Sequence, residues 1–298
     1  MALCSTTNSI KLEAVKAFWG IKHCRSVTTV ADVADSLDGT YFELNVIEPV
    51  SFAEVKGYVY FGTDPVLAGK TAYNAGTVTN FTANQVASAI ESALASVDVK
   101  VEVVGNKVEI QNKYLGQITA EVDGGSGFTF AIEKAGIGGE LGKTSGGSTL
   151  SMEAQGVEYK SDQTGEIVLG ESYIGSSATI EMALIEVDKE KLELIVGQVT
   201  GDVHTPIGGT SLVGYGESKL YQLMSELGGT LILHPIRLLD SDKSGDYIFH
   251  KCAPMPQDIN FSGTEVQTLN VTFKAYLDSG VNKKINLFAI GDWTQDLE

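Results

Sequence analysis

Along the C-terminal half of the chain, side chains alternate between apolar and polar with a period of two. In Gln267-Thr-Leu-Asn-Val-Thr-Phe-Lys-Ala-Tyr276, Leu269, Val271, Phe273 and Ala275 share one face, while Asn270, Thr272 and Lys274 share the other. The same rule sets Ile180, Met182 and Leu184 against Thr179, Glu181 and Ala183. Successive side chains of a strand point to opposite faces, so this period specifies half-buried β-strands and disfavours helix over the same residues. Glycine is frequent (33 residues) and proline rare (6), and the runs between glycines are rich in Val, Ile, Thr and Tyr. That is the composition of strands joined by turns.

Long strands are predicted at Thr149–Tyr159, Ser177–Val187, Thr230–Leu239, Asp246–Ala253 and Val266–Leu277. They imply a mostly antiparallel sheet, closed as a sandwich or barrel. Upstream, shorter strands are predicted at Gly57–Gly62, at Val99–Val104 and Lys107–Ile110 around a Gly105-Asn106 turn, and at Phe128–Ile132. Thr82 and Gln85 have the spacing of a capping box, and Val86, Ile90, Leu94 and Val97 follow on one helical face. Two further helices are expected. One spans Glu217–Leu227, with Leu220, Leu223, Met224 and Leu227 as its stripe and Gly228-Gly229 as its stop; the other is a short one over Asp188–Gly197. Glu48-Pro49 marks one break in the chain, and the glycine-dense passage Gly136–Gly147 reads as a linker or hinge. The expected organisation is an N-terminal segment (1–48), an inserted small domain (49–137) and a β-domain (138–298). The expected fold class is mainly β (α+β): an antiparallel β-sandwich or barrel with a packed helix, plus the inserted α+β domain.

The 298 residues carry 21 basic and 38 acidic side chains, a net charge of −17. Such a balance disfavours tight nucleic-acid binding, which needs clustered Lys and Arg to neutralise phosphates. Cys4, Cys24 and Cys252 are too few and too scattered for a disulfide framework or zinc knuckle, so a reducing compartment is expected. The N-terminal residues lack the basic and apolar regions of a secretory signal, and no apolar run is long enough to span a membrane. A soluble protein without a membrane partner is expected.

Candidate chemistry fails on spacing. Gly142-Lys143-Thr144 ends like a P-loop, but Ile137 stands where the first glycine belongs and a strand, not a helix, is predicted to follow. Asp240-Ser-Asp242-Lys-Ser244-Gly245-Asp246 begins like a calcium loop, yet Lys251 occupies the position of the closing Glu. A hairpin turn built from ordinary turn residues accounts for it equally. Ser172 and Ser211 lack the second glycine of a nucleophile elbow. His23, His204, His234 and His250 show no metal-binding spacing, and His250 with Cys252 makes two ligands on one strand face, which is too few for a site. The expectation is therefore no catalytic, cofactor-binding or metal residues, no cofactor, and no enzyme.

Three passages carry a resemblance: Gly147-Ser-Thr-Leu-Ser-Met-Glu, then Val157-Glu-Tyr-Lys-Ser-Asp-Gln-Thr-Gly-Glu166, then Gly175-Ser-Ser-Ala-Thr-Ile-Glu-Met-Ala-Leu-Ile-Glu186 with the short helix after it. A strand entering an Asp-Gln turn, a second alternating strand ending in Glu, and a short helix resemble, in that order, the major tail tube proteins of long-tailed bacteriophages. The likeness spans roughly the C-terminal 150 residues, while 57–132 resembles a small domain embedded in phage virion proteins. The resemblance implies a virion protein made in the host cytoplasm. Its homo-oligomer would be stacked hexameric rings forming the DNA-ejection conduit, with the tape measure, terminator and baseplate proteins as partners. DNA would pass without specific binding, and ten acidic against three basic residues over 151–200 suit such a lumen. A bulky insertion favours a bare, non-contractile tube. The alternatives are a host-surface or glycan-binding β-module, for which Trp19 and Trp293 are the only tryptophans, and another ring-forming tail or neck protein.

Overall fold

A computed structural model describes residues 8–12, 15–49, 51–160, 167–185, 191–195, 201–204, 212–215, 220–260, 267–279 and 285–293. In chain order the elements are β1 (Asn8–Leu12), β2 (Val15–Thr28), β3 (Tyr41–Glu43), β4 (Val46–Ile47), β5 (Glu54–Val55), β6 (Gly57–Tyr60) and β7 (Thr71–Asn74). Then come α1 (Ala83–Ala93), β8 (Val99–Val104), β9 (Lys107–Leu115), β10 (Asp123–Gly124), β11 (Thr129–Lys134) and β12 (Ile137–Gly142). The chain continues through β13 (Thr144–Lys160), β14 (Val168–Leu184), β15 (Gly201–His204) and β16 (Leu212–Tyr215). It ends with β17 (Gly229–Pro235), β18 (Tyr247–Asn260), β19 (Thr268–Ala275) and β20 (Ala289–Ile290). The fold is mainly β with large antiparallel sheets, and β6–β7 is a parallel pair.

The chain forms two compact units: Gly20–Gly139, and Met1–Trp19 together with Glu140–Glu298. In the smaller unit, β11, β2, β9 and β8 lie side by side, all antiparallel. Gly105, with φ +64°, makes the turn between β8 and β9. Helix α1 begins as its capping box dictates: Thr82 Oγ1 accepts from the Gln85 N–H, and Gln85 Oε1 accepts from the Thr82 N–H at 2.9 Å. Its apolar face, Val86, Ala87 and Ile90, enters one core with Val27, Val108 and Ile110 of the sheet. A second small sheet in the order β10-β3-β6-β7 adds Phe42 and Val59 to that core.

This unit ends within two residues of the expected boundary but begins at Gly20 instead of residue 49. The reason is burial: Val27, Leu37, Phe42, Leu44 and Val46 all belong to its core. The buried Asp32 ties the 30–37 loop inward, its carboxylate accepting from the backbone N–H groups of Leu37 (3.0 Å) and Asn80 (2.8 Å). Entry and exit of the unit adjoin. A Cβ placed on Gly20 would stand 2.3 Å from the Ile137 carbonyl oxygen and 2.6 Å from Gly138 Cα, so glycine permits the close passage of β12 across β2.

In the larger unit the sheet order is β1-β13-β14-β19-β18-β17, with β20 beside β18. The predicted faces hold: Ile180, Met182 and Leu184 are buried on β14, and Leu269, Val271, Phe273 and Ala275 on β19. Trp19 is fully buried, donates its Nε1–H to the Cys252 carbonyl at 3.0 Å and meets the Phe273 ring at 6.3 Å. Pro254 and Pro256 sit in β18 past Cys252, where the register with β17 has ended and, among the described residues, one edge of the strand is unpaired. That is where a residue without an N–H is tolerated in a sheet.

Two expectations fail here. The glycine-dense passage is no linker: it forms β12 and the start of β13, and Gly146 and Gly147 (φ +76° and +81°) make the bulge between Ser145 and Ser148. The helix at 217–227 is not formed over 220–227, which make turns. Tyr221 takes φ +70°, a conformation no α-helix accommodates, and Leu220 and Leu223 remain exposed, so the stripe gains no burial that would hold a helix. Of the short helix expected over Asp188–Gly197, residues 191–195 are helical with Ile195 buried, and the rest lies outside the described residues.

Candidate functional site

The residues with candidate chemistry are spread over the fold. Gly142-Lys143-Thr144 joins β12 to β13, and the Lys143 carbonyl accepts from the Ile185 N–H at 3.0 Å, so the segment is strand backbone with no helix N-terminus after it. Ser172 lies on β14, His204 on β15, and Ser211 falls outside the described residues. Cys252 is completely buried, and burial pushes its thiol well above the usual range, which suits packing and not nucleophilic attack. Among the described residues, no group of three His, Cys, Asp or Glu side chains is placed to hold a metal ion.

The loop Asp240–Asp246 spreads its carboxylates. Asp240 accepts from Lys16 Nζ at 2.7 Å, and Asp242 accepts from the Ser244 N–H at 3.1 Å, the geometry of a turn. Asp246 turns inward and is fully buried, with Oδ1 2.6 Å from His234 Nδ1 and Oδ2 accepting from Trp293 Nε1 at 2.8 Å. Burial raises the Asp246 carboxyl above the ordinary range, against the lowering effect of the Trp293 and His234 hydrogen bonds. This buried polar centre was legible only through strand register. Leu233 pairs with Tyr247, which sets His234 and Asp246 opposite each other at the end of the β17–β18 ladder.

The functional candidate is a surface that no sequence motif marked. β13 and β14 are 17 residues each and pair over almost their whole length, from Thr144 opposite Leu184 to Lys160 opposite Val168. Among the described residues, β1 covers β13 only at Ser148–Met152, and β19 covers β14 only at Thr179–Leu184. Among the described residues, the outer parts of the two strands therefore form a two-stranded arm. Every side chain from Glu153 to Lys160 is exposed. The exposed residues are not all polar: Tyr173 is 69% accessible, Ile174 62%, Leu169 59% and Ile167 66%. Register puts Val157 and Tyr159 on one face of the ribbon and Tyr173 with Val168 on the other, while shifts between Gln155 and Gly156 and between Tyr159 and Lys160 mark bulges. Both faces of the arm thus offer apolar surface. The signal available in the sequence was the run Ile167-Val-Leu169 and the pair Tyr173-Ile174, too apolar for a hairpin that stays in water.

No helix among the described residues is long and apolar enough to cross a membrane. The chain matches no known protein-family model, and no curated protein matches its sequence.

Proposed function

We propose that this chain is a structural virion protein: a tail-tube subunit of a long-tailed bacteriophage that stacks as hexameric rings into a DNA-ejection conduit. The arm of β13 and β14 carries the reading. A two-stranded ribbon is at best marginally stable alone in water, and contiguous exposed apolar residues mark a surface that becomes covered. Identical copies in a closed ring cover such surfaces repeatedly, because the same arm meets the same receiving face at every interface. The mainly β fold and the sequence resemblance over the C-terminal half support the same assignment. The acidic balance supports it as well, since a negatively charged wall repels phosphate and keeps DNA from sticking.

Negative-stain electron microscopy of the purified protein tests the proposal directly, with rings or hollow tubes as the expected result. The variant Leu169→Glu/Tyr173→Glu changes only exposed side chains. It should keep the circular dichroism of the parent and sediment as a monomer. A parent chain that stays monomeric at high concentration in every buffer tried, or an arm variant that still builds tubes, would overturn the reading.

A further inference from the structure

The smaller unit holds an open cleft of about 570 Å³. One wall is the inner face of β11, where Phe130 and Ile132 continue the apolar face of the sheet past Val27 and Arg25, their partners on β2. Phe130 still touches the core through Phe42, with ring centroids 5.6 Å apart, yet it is 39% accessible, and Ile132 is 67% accessible. Val122 also lines the cleft. The lining is polar as well. The buried Arg25 guanidinium pairs with Glu121 and donates to the Asn45 carbonyl (2.9 Å) and to Asn112 Oδ1 (3.2 Å), while its buried Nε has no hydrogen-bond partner among the described residues. His23 Nδ1 accepts from the Gly136 N–H at 3.1 Å, which leaves the ring proton on Nε2.

Two more observations define what fits. Among the described residues β11 pairs with β2 alone, so its other edge keeps free backbone donors and acceptors. Such an edge is a template for another strand unless charge or a bulge blunts it. Here the bulge between Ile132 and Lys134, and the Glu133 side chain held by Lys107, lie at the far end and leave Thr129–Ile132 open. The second observation is charge. The cleft is lined by Glu43, Glu121 and Asp123; Lys70 pairs with Glu43 and Arg25 with Glu121, so three acids less two bases leave one net negative charge, on Asp123. This disfavours anions. It also disfavours the arm of a second copy, whose outer residues carry Glu153, Glu158 and Glu171 against Lys160 in a chain of net charge −17.

We infer that β11 and its cleft form a strand-addition site for an extended peptide segment of another protein. That segment has apolar side chains at alternate positions and Lys or Arg between or beside them. Its backbone pairs with Thr129–Ile132. One apolar side chain enters between Phe130, Ile132 and Val122, and a basic group beside it meets Asp123. Main-chain hydrogen bonds supply affinity in this mode, and the pocket with Asp123 beside it supplies selectivity. The inference stands on the smaller unit and does not depend on tube assembly.

The test uses the full chain and a fluorescein-labelled synthetic peptide of alternating Lys and Val. Two comparison peptides accompany it: one with Glu in place of Lys, and one with the Lys–Val sequence but alternate backbone nitrogens methylated. Saturable binding of the first peptide is expected, with slowed amide exchange within Thr129–Ile132. Ile132→Lys, a change at an exposed residue, should weaken that binding about tenfold or more, by removing apolar contact and neutralising the local charge. Several outcomes would overturn the inference: no binding, equal binding of the Glu or methylated peptide, protection elsewhere than β11, or unchanged affinity in Ile132→Lys. Self-association of the free chain that Ile132→Lys abolishes would also overturn it, by giving the edge to a second copy.

Discussion

His23 and Asp246 show how burial sets protonation in this protein. Burial, with the nearby Arg25 charge second, holds the His23 imidazole at about 4, below its ordinary value of 6.5. The folded state therefore keeps His23 neutral while the unfolded chain takes up a proton. For a base whose pKa is lowered on folding, the unfolded state binds more protons as pH falls, so stability is lost between about pH 6.5 and pH 4. His23→Asn keeps an acceptor for the Gly136 N–H and removes the titration. In urea titrations from pH 7 to pH 4, the variant should lose less stability than the parent; parallel losses would show that His23 does not contribute. Asp246 is shifted upward by the same physics, its two hydrogen bonds only partly offsetting burial. The sequence marked His23 only as a histidine without metal-binding spacing and Asp246 only as the last residue of an Asp-rich turn. A histidine or aspartate on an alternating strand gives no sign of its depth until the neighbouring strands are placed.

At the scale of elements, legibility followed the range of the interactions. The start of α1 was readable because a capping box joins residues three apart, and Thr82 and Gln85 form it as expected. Thr82→Ala should cost about 1 kcal/mol, measured as a shift in urea midpoint at constant slope. A loss indistinguishable from zero would mean that α1 is held by its buried face alone. The helix expected at 217–227 failed because an apolar stripe is only a request for burial. No surface received Leu220 and Leu223, and the chain took turns over 220–227 instead. Gly136–Gly147 failed in the opposite sense. Clustered glycines suggested flexibility, whereas β12 and the start of β13 use them for close strand passage and a bulge.

At the scale of the whole molecule, the smaller unit is inserted into the chain of the larger one, and the site of insertion is visible at Gly20 and Gly138, whose backbones nearly touch. Replacing residues 20–139 with a short Gly-Ser join should leave a soluble, cooperatively folding larger unit, because domains with adjacent ends can be removed without stretching the host chain. Removing residues 49–137, the boundaries read from the sequence, should instead give insoluble protein. That deletion strips β9 from β2 and exposes Val27 and Leu37. Thermal melts of the two deletions make the comparison, and equal folding of both would show that residues 20–48 do not depend on the unit they join here.

Period-two alternation, turn glycines and a capping box are local, and from them the sequence by itself determined a mainly β chain, five of the strands of its C-terminal half and the helix at Ala83–Ala93. The boundary at Gly20, the pairing of His234 with Asp246 and the exposure of the β13–β14 arm were decided only in the tertiary structure. Each depends on which residues far apart in the chain come to lie side by side. Alternation says that a strand has an apolar face, but only the neighbouring strands decide whether that face is buried, as in β19, or left bare for a partner, as in the arm and on β11.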